Sequence, residues 1–86
     1  MNIKDLINIG SLQVGDELIW NRRSLGMQHT ATVVTGGLIQ TADGQLHKTP
    51  SGAAKHLNGK KPVDGWIAWK SKKEGKSLAD IRSQLS

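Results

Sequence analysis

TATVVTGGLIQTADGQLHKTPSGAAKHLNG, Thr30–Gly59, decides the fold. β-Branched residues dominate Thr30–Thr35, a composition that suits a pleated strand. Gly36-Gly37 follows, and a two-residue hairpin turn of this kind needs positive φ at both positions. Leu38–Thr41 therefore returns antiparallel. Asp43-Gly44 is a second such turn, and Gln45–Lys48 makes one more short strand. Thr49 then offers an N-cap oxygen, and Pro50 takes the first helical position, where its missing N–H loses nothing. The helix runs to Leu57, and Asn58-Gly59 ends it with a left-handed cap. Ala53, Ala54 and Leu57 share one side, and the two alanines let the helix axis approach the sheet closely. A meander has one face to bury, and this helix is the layer that buries it.

Working outward, Asn2 caps a short N-terminal helix with Ile3, Leu6, Ile7 and Ile9 on its apolar side and Gly10 as its stop. SLQVGDEL turns the chain at Gly15 into a strand over Glu17–Arg22, and SLGMQ is a loop. Trp20 lies in an apolar run and is expected to be buried. Residues 58–65 are rich in Gly, Pro and Lys and read as loop. GWIAWK, Gly65–Lys70, reads as an extended segment or a single helical turn. Extended, it puts Ile67 and Trp69 on one face; helical, it brings Trp66 and Trp69 together. Lys70–Lys76 reads as a charged loop. Ser77 opens the last helix in a capping-box-like pattern with Asp80, turning Leu78, Ile81 and Leu85 inward. The fold class is α+β, one domain over residues 1–86. Its order is N-terminal helix, small antiparallel meander of about three to four strands, packed helix, short extended Trp segment and C-terminal helix.

The chain has no cysteine, which removes disulfides and thiolate chemistry. Its apolar runs are too short to cross a bilayer, and its N-terminus lacks a secretory apolar core. A cytoplasmic protein, or a domain of one, is expected. The net charge is +5, and it is unevenly spread. Residues 1–47 hold Lys4, Arg22 and Arg23 against Asp5, Asp16, Glu17 and Asp43, a balance of −1. Residues 48–86 hold nine Lys or Arg against Asp64, Glu74 and Asp80, a balance of +6. Such an excess attracts polyanions, provided the cations converge on one surface after folding.

The ordered set DLINIGSLQVGDEL, ATVVTGGLIQTADGQ, TPSGAAKHLNG, DGWIAWK and GKSLADIR resembles the RAMA family, the restriction-enzyme adenine methylase associated domains. The resemblance spans nearly the whole chain. It implies a domain that accompanies bacterial adenine methyltransferases and restriction systems, and that binds DNA or senses modified adenine. The family often has Asn before the Gly-Trp pair, where this chain has Asp64, and an aromatic where it has Ala68. An Asn side chain can pair with an adenine edge, whereas a carboxylate only accepts.

Nothing in the sequence forms a catalytic constellation. His29, His47 and His56 lack metal-ligand spacing, although His47 and His56 can meet across the strand–helix junction. Asp16 and Glu17 are strand neighbours that point to opposite faces, which makes a poor acid–base pair. No Walker loop or dinucleotide fingerprint occurs. The expectation is a non-enzymatic DNA-binding module without metal or cofactor. Its partner is duplex DNA, in one form carrying methylated adenine. Thr49 and Ser51, with free amides at the helix start between Lys48 and Lys55, offer a phosphate cradle. Lys60, Lys61, Lys70, Lys72 and Lys73 flank the Trp segment and can straddle a backbone. Arg22 and Arg23 supply planar forks for phosphate or base edges. Asp64 sits at the family's polar position, and Trp66 offers a stacking face, while Trp69 belongs to the core. The alternative is a protein-interaction module that docks to a restriction or methyltransferase subunit through Leu25, Met27 and Trp66.

Overall fold

A computed structural model describes residues 2–84 of the chain. The Asn2 side chain accepts from the Asp5 N–H, and the Asp5 carboxylate accepts from the Asn2 N–H. This reciprocal cap starts α1, Ile3–Asn8, which buries Ile3 and Leu6. β1 is Glu17–Arg22, followed by a 3₁₀ turn, Arg23–Leu25, and β2, Met27–Val34. β3 is Leu38–Thr41 and β4 is Leu46–His47. α2 spans Pro50–Leu57, α3 spans Gly65–Ala68, β5 is Lys70–Ser71 and α4 is Leu78–Ser83. The α+β class and the order of helices and strands follow the sequence reading. Leu85, expected to face inward, lies outside the described residues.

The five strands form one antiparallel sheet in the order β4-β3-β2-β1-β5. Val34 pairs with Leu38, so the connection is three residues, Thr35–Gly37, rather than the two read from the sequence, and Gly36 and Gly37 take its positive φ values of 87° and 77°. Gly37 has a second duty, because a Cβ there would stand 2.8 Å from the Lys4 Cβ where α1 crosses the turn. Register places Leu18, Ala31, Val33 and Ile39 on one face, all buried. Those side chains merge with Ile3, Leu6, Leu12, Ala53, Trp69, Leu78 and Ile81 into the core. The opposite face, with Ile19, Thr30, Thr32 and Gln40, is exposed or half-buried.

Two segments depart from expectation. The sheet gains a fifth strand from the charged loop, pairing Leu18 with Ser71 and Ile19 with Lys70. A two-residue edge strand, Lys70–Ser71, at the start of a lysine-rich segment carries no periodic signal. The Trp segment is a helical turn over Gly65–Ala68 rather than an extended piece. Asp64 explains this, since its side chain accepts from the Trp66 N–H at 3.1 Å and starts the turn. Gly65 explains where the turn sits. A Cβ on Gly65 would lie 2.1 Å from the Pro50 carbonyl, so only glycine lets α3 rest on the first turn of α2. The Ser51 hydroxyl accepts from the Gly65 N–H at 3.0 Å and fixes that contact. The turn delivers Trp69 into the core with no exposure, and its indole N–H donates to the Pro50 carbonyl at 3.1 Å.

Both close approaches are testable. Gly65→Ala should lower stability by about 3 kcal/mol, because backbone must move to admit one methyl group. Ala54→Leu, at a position with 0 % exposure, should lower it by about 2 kcal/mol. The urea midpoint of each variant, at unchanged m-value, measures these shifts.

Candidate nucleic-acid interface

Arg22 ends β1 on the face that carries the helices. Its guanidinium carbon stands 4.8 Å from the Trp20 ring centroid. Nη2 donates to Asn58 Oδ1 at 2.8 Å, and Asn58 Nδ2 donates to the Lys61 carbonyl at 3.3 Å. Asn58 is also the C-cap of α2, its N–H donating to the Ala54 and Lys55 carbonyls. One helix cap therefore joins the end of β1 to the loop bearing Lys60 and Lys61. Lys60 takes a φ of 68°, the left-handed value that turns the chain after the cap, and its N–H donates to the Lys55 carbonyl at 2.9 Å. Arg22, Lys60 and Lys61 are thus held at one end of the molecule. Arg23 starts the adjoining 3₁₀ turn and is exposed. Leu25 and Met27 are 54 % and 50 % exposed at the same hairpin tip. The sequence holds no Asp or Glu from Leu18 to Ala42, and none from Lys48 to Val63.

Trp20 is half-buried rather than buried. It packs on the core through an edge contact with Trp69 at 5.9 Å, while Arg22 covers it and His29 lies 5.2 Å away. A guanidinium stacks on an indole face and keeps its edge for other partners. His29 Nε2 is buried without a hydrogen-bond partner. Burial, then the neighbouring Arg22 charge, hold the His29 pKa below its ordinary value.

The remaining lysines do not join this group. Lys72 Nζ pairs with Glu17 Oε2 at 3.1 Å, at the other end of β1. Lys72 and Lys73 line a shallow depression together with Gly15, Asp16 and Glu17. A six-residue strand separates the two ends by about 17 Å. Lys70 lies on the open face of the sheet, opposite Ile19. The expected convergence of both lysine loops is therefore not what the fold produces. Carboxylates distant in sequence meet the second loop through the pairing of β5 with β1.

The start of α2 is engaged internally. Thr49 Oγ1 accepts from the Gly52 N–H at 2.9 Å, Ser51 holds Gly65, and α3 roofs the first turn. Lys48 and Lys55 remain exposed on either side. Asp64 is the N-cap of α3, so its accepting oxygen meets a backbone amide. Trp66 is half-buried, with the Arg82 guanidinium 4.3 Å from its ring centroid. Sequence reasoning took Asn58 only as a helix stop and overlooked the cation–π role of Trp20. The i, i+2 spacing of Trp20 and Arg22 on a strand was the available signal.

A second polar cluster ties the β3–β4 turn to α2. His56 Nε2 meets Asp43 Oδ2 at 2.6 Å. Thr41 Oγ1 donates to Asp43 Oδ1 and lies 3.3 Å from His47 Nε2, and the two histidine rings stand 4.9 Å apart. Hydrogen bonds from His56 and Thr41 hold the Asp43 carboxyl well below the usual range. Burial, then the His56 charge, lower the pKa of His47. Among the described residues no group of three or more His, Cys, Asp or Glu is placed to hold a metal ion. No described helix is long and apolar enough to cross a membrane.

The profile of the family described as Restriction Enzyme Adenine Methylase Associated, RAMA, matches residues 1–86. The chain belongs to the RAMA family. Its association is therefore with restriction-modification systems. Comparison with curated proteins gives no significant match. In this RAMA domain, motifs that read as separate pieces in the sequence prove to be one packing unit. TPSGAAKHLNG supplies the surface on which DGWIAWK rests.

His29 and His47 both titrate below the ordinary histidine value of 6.5. In the window below that value the unfolded chain binds protons that the folded chain does not, so stability falls as pH falls. Urea midpoints should therefore drop between pH 7 and pH 5. His29→Leu removes both a proton site and a buried unpaired nitrogen. It should flatten that slope and raise stability at pH 5 by about 1 kcal/mol.

Proposed function

We propose that this RAMA domain is a non-enzymatic module that binds duplex DNA, with its phosphate contacts at the Arg22 end of the sheet. The observation that carries the reading is the fixed guanidinium of Arg22, stacked on Trp20 and tied to Asn58, beside Lys60 and Lys61. Fixing the fork before binding reduces the entropy lost on contact with a phosphate. Family membership supports the same direction, because both restriction enzymes and adenine methylases act on DNA. Sensing of methylated adenine is the finer part of the reading and rests on the family description. Arg82 over the Trp66 ring leaves that tryptophan less suited to the stacking role.

With Arg22, Arg23, Lys60 and Lys61 each neutralising one phosphate, a fourfold rise in salt should weaken binding about a hundredfold. Fluorescence anisotropy of a labelled duplex at two ionic strengths measures this, and salt-independent binding would remove the proposal. The double variant Lys60→Glu, Lys61→Glu should weaken binding by at least about tenfold and make the salt slope shallower by about two. Lys72→Glu with Lys73→Glu should have the smaller effect. If both doubles behave alike, the Arg22 end is not the contact surface.

Two duplexes differing by one adenine N6 methyl group should bind with unequal affinity. Equal affinities would reject methylation sensing and leave DNA binding standing. Docking to a restriction or methyltransferase subunit is the competing reading, favoured by the exposure of Leu25 and Met27. It predicts that the Lys60, Lys61 double variant retains its protein partner.

A further inference from the structure

The β1–β2 hairpin tip carries two apolar side chains in an otherwise cationic neighbourhood. Met27 pairs with Arg22 across the strands, on the face that carries the helices, and is half exposed. Leu25 closes the 3₁₀ turn at the tip and is 54 % exposed. Gly26, at a φ of 62°, bends the chain back between them. Arg22 and Arg23 precede the tip, and Asn58 holds Arg22 to the loop of Lys60 and Lys61.

We propose that Leu25 and Met27 form a wedge that enters the base stack of duplex DNA while the surrounding arginines and lysines hold its phosphates. The inference rests on the DNA-binding reading and goes further by assigning an apolar contact and a deformation of the duplex. Charge complementarity selects this occupant. A protein groove that receives leucine and methionine excludes lysine and charged residues from its centre. A duplex presents the opposite pattern, an anionic rim around an apolar stack. Proteins that insert leucine or methionine between base steps flank the wedge with Arg or Lys in the same way. From Leu18 to Ala42, on both sides of the tip, the sequence holds no carboxylate that would repel the backbone.

The test uses the whole chain and a 20-base-pair duplex carrying 2-aminopurine at a central TA step, the kind of step that unstacks most readily. Binding of the wild-type chain should raise 2-aminopurine fluorescence at least about twofold, because a wedge unstacks the reporter. A duplex with a mismatch at that step, already unstacked, should bind about tenfold tighter. The double variant Leu25→Ser, Met27→Ser alters only exposed side chains, and an unchanged circular dichroism spectrum confirms that it folds. It should lose most of the fluorescence rise and the mismatch preference, bind the intact duplex about tenfold more weakly, and keep the salt slope of the wild type. Salt-dependent binding by the wild type without a fluorescence rise overturns the wedge and leaves the phosphate contacts intact. A variant that matches the wild type in both readouts overturns it equally. Absence of duplex binding at low salt removes both proposals. Loss of a protein partner in the serine variant would then assign the tip to protein docking.

Discussion

The contact of Gly65 with Pro50 is the constraint on which the helical layer depends. It brings the backbone of α3 against the first turn of α2, closer than any side chain permits. Two hydrogen bonds secure the junction from different directions: the Ser51 hydroxyl accepts from the Gly65 N–H, and the Trp69 indole N–H donates to the Pro50 carbonyl. The last satisfies a polar group on a side chain that is wholly buried, where an unpaired donor costs about 1–3 kcal/mol. The largest core side chain is therefore positioned by the same few atoms that dock α3.

From Trp69 the consequences run outward. Its ring supports Trp20 edge-on, Trp20 carries Arg22, and Arg22 reaches Asn58 at the end of α2. The helix that sets the position of Trp69 at its first turn thus receives Arg22 at its last. A short helix bridges the core and the cationic end, and an error at either terminus is felt at the other. This explains how a chain without Phe or Tyr, with three tryptophans, can hold a charged side chain in one place. Two of those tryptophans serve as rigid supports between the aliphatic core and the surface.

What was legible in the sequence was local chemistry. Gly36-Gly37, the Asn2 and Thr49 caps and the Ser77 cap all act within a few residues, and each is where its residue type predicts. The Trp segment was open between two readings because Asp64 is both an ordinary loop residue and a good N-cap. What settles it is Pro50, fifteen positions away in the chain, and no local pattern reports that contact. β5 was missed for the same reason. Lys70 and Ser71 become a strand only because β1 offers a free edge.

The charge distribution shows why composition underdetermines a surface. A balance of +6 in residues 48–86 suggested one electropositive patch, yet the sum ignores what each lysine meets after folding. Lys72 lies against Glu17, and Lys73 shares a depression with Asp16, so part of that loop's charge meets carboxylates from the N-terminal half. At the Arg22 end the addition works the other way. Two arginines from the acidic half join two lysines from the basic half, and neither stretch contributes an acid of its own. An exposed ion pair contributes little to stability, but it does cancel field at a distance beyond a few ångströms. Lys60 and Lys61 have no such partner among the described residues, and they lie beside the guanidinium whose direction is fixed by an aromatic ring and a helix cap, so their field adds to that of Arg22 where a polyanion would approach.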